Sequence, residues 1–250
     1  MGEPPGLLRP NYFGERVAQS YDDDSTDMFS PLVISRTVDF LADLAGDGAA
    51  LEFAVGTGRV ALPLSERGVR VAGIDLSPDM LAQLAKKPGA ERIAAAQGDF
   101  TSTRVGGDFR LVYLVYNTIQ NVTTQDAQVE CFCNAAAHLE PGGCFVVEVG
   151  VPQLRRLPPG ETVRVFSFTE SRVGFDELDV AQQLGVSHHI WLGDGPRHFS
   201  MPWRFAWPAE LDLMARIAGL VLRERWADWG REPFTSDSPK HVSVWEKPSG

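Results

Sequence analysis

Lysine, histidine and cysteine are all scarce in this chain of 250 residues. Only 4 of the 23 basic residues are lysine, against 19 arginines, and no positive run is denser than Arg155-Arg156. With 33 acidic residues the formal balance is 23 − 33 = −10. Such a surface repels polyanions, so neither nucleic acid nor an anionic membrane is an expected partner. No apolar run approaches the roughly 20 residues that a spanning helix needs. The opening Met1-Gly2-Glu3-Pro4-Pro5-Gly6 carries neither a positive segment nor an apolar stretch, which predicts no secretory leader and a cytoplasmic location. Three cysteines, Cys131, Cys133 and Cys144, make no disulfide framework and suit a reducing compartment. Cys131 and Cys133 fall two apart in a predicted helix, where they do not face one another, so packing is expected and no metal site.

What remains is an ordinary globular composition, 44% hydrophobic and 22% charged, enough for one large α/β unit. Short apolar β-rich runs at 49–55, 69–75, 92–97, 109–116 and 144–151 alternate with helical stretches at 58–67, 78–87 and 123–139. Ser77-Pro78-Asp79 is a helix start, Thr123 with Asp126 another, and Pro141-Gly142-Gly143 a break before the fifth strand. This alternation implies βαβ units: a Rossmann-like, mostly parallel sheet with helices on both faces. Residues 11–45 read as two helices, with Tyr12, Phe13 and Tyr21 on the first. Runs at 162–169, 184–192 and 198–207, with turn signals such as Gly193-Asp194-Gly195, read as antiparallel hairpins. A helix at 208–217 and strands at 220–229 and 241–246 return to the sheet. The expected division is a helical cap over 1–48, a core over 49–154 and 208–250, and an antiparallel β insertion over 155–207 covering the substrate site.

The most informative stretch is Leu51-Glu52-Phe53-Ala54-Val55-Gly56-Thr57-Gly58-Arg59-Val60-Ala61, a strand ending in a glycine turn that opens a helix. Gly56 permits the turn, and Gly58 would let a ligand approach the backbone. Asp75, 19 residues beyond Gly56, ends the next strand and is placed for a ribose hydroxyl. The same glycines satisfy a dinucleotide fingerprint, which keeps NAD(P) and oxidoreductase chemistry as a rival. Glu52 favours another ligand: its carboxylate can orient the glycine loop or an ammonium group, where a pyrophosphate gains nothing. Asp99 and Phe100 then close the third strand with an acid and an aromatic suited to an adenine.

On these residues the chain resembles the class I S-adenosylmethionine-dependent methyltransferases, and more narrowly the actinobacterial small-molecule (secondary-metabolite) enzymes. The resemblance implies S-adenosyl-L-methionine as cofactor and a seven-stranded sheet whose last strand inserts antiparallel. It extends the cofactor set beyond Glu52, Gly56, Gly58, Asp75, Asp99 and Phe100 to Tyr12, Tyr21, Thr57, Leu76, Met80, Tyr116 and Asn117. Enzymes of this kind often carry a histidine after the fourth strand; Asn121 stands there instead. The candidate catalytic residues are therefore Asn121 and Tyr21 as positioning groups, with His188 or His189 as general base. Alternation along a strand allows one of that pair to face the pocket directly. Trp191 is a candidate substrate contact, and Arg204 either anchors an anionic group or pairs with a nearby acid. Trp203, Trp207, Phe166 and Phe168 are further candidates for pocket walls. The expected reaction is methyl transfer to nitrogen or oxygen of a small molecule by a monomer or homodimer; a non-methylating scaffold of the same fold is the remaining alternative.

Overall fold

In a computed structural model, residues 12–24, 30–193 and 197–249 are described. Met1–Gly6 and the turn residues Asp194 and Gly195 lie outside them. Two helices, α1 (Glu15–Asp24) and α2 (Pro31–Ala45), precede β1 (Ala49–Phe53), α3 (Ala61–Glu66), β2 (Arg70–Asp75) and α4 (Pro78–Leu84). There follow β3 (Ala94–Gln97), β4 (Phe109–Leu114), α5 (Gln125–His138) and β5 (Leu139–Gly150). Four strands then run consecutively: β6 (Val163–Phe168), β7 (Arg172–Asp179), β8 (Leu184–Trp191) and β9 (Arg197–Arg204). The chain closes with α6 (Pro208–Ile217), β10 (Val221–Trp226) and β11 (Lys240–Glu246).

The seven-stranded sheet has the order β10-β11-β5-β4-β1-β2-β3, with β11 antiparallel to β5 and β10 and the remaining pairings parallel. Chain order reverses between β1 and β4, and it is outside the carboxyl ends of strands at such a point that open sheets bind ligands. The sheet is covered on both faces. Phe53, Phe132, Phe145 and Trp245 pack in one core cluster, Phe40, Leu41, Leu64 and Tyr113 in the other. Cys131 and Cys144 are free, buried members of these clusters. The second sheet, β6-β7-β8-β9, is antiparallel throughout. No helix among the described residues is long and apolar enough to cross a membrane.

Several elements depart from expectation for local reasons. The glycine turn extends further than predicted, so α3 begins at Ala61. Thr124, not Thr123, caps α5 by accepting the Ala127 N–H. Pro141-Gly142-Gly143 lies within β5, where the pairing with β4 jumps from Phe109↔Leu139 to Leu111↔Cys144. Tyr12 and Phe13 precede α1 instead of lying on it. Strand β7 was not anticipated, because its sequence Arg-Val-Gly-Phe-Asp-Glu-Leu-Asp is rich in charge. Its acid Asp176 nevertheless points inward and is buried, satisfied by Arg164 and Ser187.

Candidate functional site

A cleft of about 1420 Å³ opens between the carboxyl ends of the parallel strands, the N-terminal segment and the inner face of the second sheet. Sites for one small ligand ordinarily measure roughly 300–1,000 Å³, so this one has room for two molecules side by side.

Its floor is the turn after β1. Gly56 has φ +55 and faces the cleft, and a Cβ built there would meet Met80 Cε at 3.4 Å. Asp75 ends β2 and grips this turn: Oδ2 accepts the Gly56 N–H at 2.7 Å and Oδ1 the Ser77 N–H at 2.8 Å. Burial raises its carboxyl pKa, opposed by those two donors. Asp99 follows β3, its Oδ1 accepting the Thr101 N–H and hydroxyl at 2.9 and 2.7 Å. Leu76, Met80 and Phe100 line the cleft beside these acids, with Phe100 stacked on Phe53 at 5.7 Å. Two carboxyls next to apolar plates are an acceptor set suited to a nucleoside, one acid for vicinal hydroxyls and one for a base edge.

Three residues expected at the cofactor, Glu52 and Gly58 from the glycine motif and Thr57 from the resemblance, do not line the cleft. Glu52 is buried beneath the turn, receiving the hydroxyl of its cross-strand neighbour Tyr113 at 2.9 Å and the Ala61 N–H. Burial pushes its carboxyl up to about 8, with Tyr113, Arg59 and Ala61 opposing, so at neutral pH it is mostly protonated. It orients the loop from below and does not line the cleft. Thr57 is buried, and its hydroxyl donates to Asp22 Oδ1 at 2.6 Å. Asp22 also pairs with Lys87 at 2.5 Å, and the Ser77 hydroxyl donates to the Phe13 carbonyl at 2.5 Å. Together these contacts tie the N-terminal segment to the glycine turn and α4. Gly58 makes room for the leucines of its flanking helices: a Cβ there would run into Leu84 and Leu62.

Tyr12 and Tyr21 close one side of the cleft. Burial lifts the Tyr21 phenol to about 12, with Arg59 opposing, so it stays protonated and can donate. Arg59, which sequence reading passed over, sits 5.6 Å from the Tyr116 ring centroid and bears electrostatically on Tyr21, Glu52 and Tyr113. No motif marks it; only its place in the glycine turn hinted at a role. Tyr116 and Asn117 follow β4 with φ +53 and +60, a conformation costing L-residues roughly 1–2 kcal/mol each. Glu148 holds them, its side chain accepting the Tyr116 N–H and its carbonyl the Asn117 N–H, both at 3.1 Å. Asn117 in turn accepts the Gly150 N–H at 2.6 Å, and Asn121 lies further along the same wall.

The roof is the second sheet. His189 and Trp191 face the cleft, while His188 points to the other face, bonded to Ser200 at 2.8 Å and stacked on Phe175. Burial and the nearby Arg172 guanidinium lower the His189 pKa. Arg172 Nη2 donates to its Nδ1 at 2.6 Å, so the ring is neutral with its proton on Nε2 and its lone pair occupied. Trp203 is a wall residue; Phe166 covers Gly174 beside His189 but is exposed and does not line the cleft, and Phe168 and Trp207 are exposed as well. Arg204 does not reach the cleft. It is buried, donating to Glu210 at 2.7 Å and to Gln128 at 2.5 Å. Burial alone would raise the Glu210 carboxyl, but bonds from Gln183, Arg204 and Gln125 hold it below the ordinary range. Away from the cleft, His138 accepts the Val105 N–H at 3.1 Å and donates to the Asn134 carbonyl at 2.8 Å.

A model of a "Methyltransferase domain" matches residues 50–143. Over the whole length, the structure of the CcbJ methyltransferase from Streptomyces caelestis is 36% identical and superposes with a TM-score of 0.84, covering 95% of this chain and 98% of that one. The cypemycin N-terminal methyltransferase of a Streptomyces species is 26% identical over 249 residues, 95% of this chain and 98% of its own. CalS10 from Micromonospora echinaspora, an amino pentose methyltransferase solved with SAM bound, shares the fold at 20% identity and a TM-score of 0.69, covering 98% and 100% of the two chains.

Proposed function

The chain belongs to the S-adenosylmethionine-dependent methyltransferases, and from that premise we propose that it methylates an amine nitrogen of a small natural-product intermediate. The oxidoreductase alternative is thereby set aside. When bound, S-adenosyl-L-methionine supplies a methyl group already activated on a sulfonium and leaves as S-adenosyl-L-homocysteine. The floor suits it: Asp75 for the ribose, Asp99 with Leu76, Met80 and Phe100 for the base. A 2′-phosphate would meet like charge at Asp75.

The observation that carries the acceptor reading is a cleft too large for one ligand, with an acidic floor and an aromatic, arginine-bearing roof. Holding two reactants in line there and excluding water supplies the rate enhancement. Tyr21, as a protonated phenol, and the amides of Asn117 and Asn121 position groups and do not ionise. Nitrogen is favoured over oxygen because the one cleft-facing imidazole of its pair, His189, already spends its lone pair on Arg172. An amine that enters uncharged needs no enzymic base and releases its proton to solvent after transfer. Relatives that act on a peptide N-terminus and on an amino pentose point the same way.

The test is incubation with S-adenosylmethionine and matched panels of small primary amines and alcohols, read by mass spectrometry. A methyl increment on amines is expected, with a pH profile following the acceptor's own pKa. Increments on alcohols alone, together with an acidic pKa in the rate that vanishes in His189→Gln, would restore the imidazole as base. Tight S-adenosylhomocysteine binding with no increment on any acceptor would favour the scaffold alternative.

A further inference from the structure

Pairing across the roof sets Trp191 of β8 directly between Arg172 of β7 and Arg197 of β9. The two guanidinium carbons lie 5.6 and 5.4 Å from the Trp191 ring centroid, although their backbones are roughly 9–10 Å apart across two strand spacings. All three residues line the cleft. The nearby acid Asp176 is already taken by Arg164 at 2.7 Å and Ser187 at 2.6 Å. Among the described residues, no carboxylate lies within ion-pair distance of Arg172 or Arg197. Arg172 donates to His189, which is neutral and cancels none of its charge, and its Nε is buried without a partner.

Among the described residues, two cations without a carboxylate partner thus share one wall of a cleft in a chain of net charge −10. Guanidinium groups fixed beside an aromatic ring are a receptor for oxyanions. The floor, with Asp75 and Asp99, has the opposite sign. An anionic group on the acceptor would be drawn to this roof and repelled by the floor, which leaves the uncharged amine end to point toward the floor.

We propose that Arg172, Trp191 and Arg197 form an oxyanion subsite, and that the methyl acceptor is an amine that also carries a carboxylate or a phosphate. This rests on the reading of the cleft as the acceptor site. The selectivity for acceptors then resides in β7–β9, not in the glycine loop.

The test uses the full chain labelled with 15N-tryptophan and saturated with S-adenosylhomocysteine, the Trp191 indole signal being assigned by its loss in Trp191→Phe. Three probes are titrated: N-benzoylglycine, phenyl phosphate and the neutral N-benzoylglycinamide. At least one anion should shift the Trp191 signal and bind about tenfold tighter than the amide, the worth of one charge-assisted contact. The tighter of the two anions identifies the acceptor's group as carboxylate or phosphate. In Arg197→Gln the preference should shrink, and in Arg172→Gln/Arg197→Gln it should vanish, with S-adenosylhomocysteine affinity by calorimetry unchanged as the check on folding. Equal binding of the amide, no shift with any probe, or a preference surviving in the double variant would overturn the subsite. Failure of the parent protein to bind S-adenosylhomocysteine would instead strike the methyltransferase reading, and the anion titration would still report on the roof.

Discussion

Replacing Glu52 with glutamine removes one ionisable group from beneath the glycine turn while keeping a side chain that can accept the Ala61 N–H and bond Tyr113. In the unfolded chain this carboxyl titrates near 4.5; in the fold burial lifts it to about 8. Between those values the native state keeps a proton that the unfolded state releases. The sign follows: stability is fully present below the unfolded pKa and is lost as pH rises toward the folded one. At about 1.4 kcal/mol per pH unit, the loss between pH 4.5 and 7 is about 3 kcal/mol, a large share of the roughly 5–15 kcal/mol that holds a domain together. Glutamine does not titrate, so the advantage of Glu52→Gln over the parent should widen by about 2–3 kcal/mol between pH 5 and pH 7. Urea unfolding followed by tryptophan fluorescence at half-unit pH steps reads this directly. A constant difference across that range would refute the reasoning. So would a parent that gains on the variant as pH rises, since either result means a charged Glu52 held in the fold by Arg59.

Asp75→Ala should weaken S-adenosylhomocysteine binding by about 1–3 kcal/mol, because it removes a carboxylate acceptor and frees the Gly56 and Ser77 amides; unchanged affinity in calorimetry would move the ribose elsewhere. Arg204→Met should destabilise the fold by about 3 kcal/mol by leaving Glu210 without its buried partner, while the protein that does fold binds S-adenosylhomocysteine as the parent does; selective loss of ligand binding without loss of stability would return Arg204 to the substrate site. His241 is held neutral, its pKa lowered by burial, with nearby Arg225 acting in the same sense, from 6.5 to about 3. Its contribution is present above the unfolded pKa and falls away as pH drops, so His241→Gln should flatten the acid limb of the stability profile by about 2 kcal/mol at pH 5. An unaltered acid limb in the same urea series would show that His241 becomes charged without cost.

Much of the core was legible because its signals are local. Apolar runs on β1, β4 and β5 are buried on both faces, so their residue types alone mark them. Gly56 and Asp75 were readable because one makes the turn and the other ends the adjacent strand in register with it. Glu52, Thr57 and Gly58 belong to the same motif but serve the loop and its neighbours, since spacing gives the order of residues and not the side of the loop from which each departs. Strand β7 was hidden because an inward-facing acid such as Asp176 looks like solvent-facing charge until Arg164 and Ser187 arrive from other strands.

The amino-acid order by itself determined the alternation of strands and helices, the glycine turn with its acid one strand over, and hence the half of the molecule proposed to bind the cofactor. Those features arise from backbone geometry within stretches of some twenty residues. The proposed acceptor half was decided only by tertiary structure. Which of His188 and His189 faces inward, whether Arg204 meets a ligand or Glu210, and the row of Arg172, Trp191 and Arg197 all depend on strand register. Register brings together residues far apart in the chain, and a one-residue slip would send each of these side chains to the opposite face.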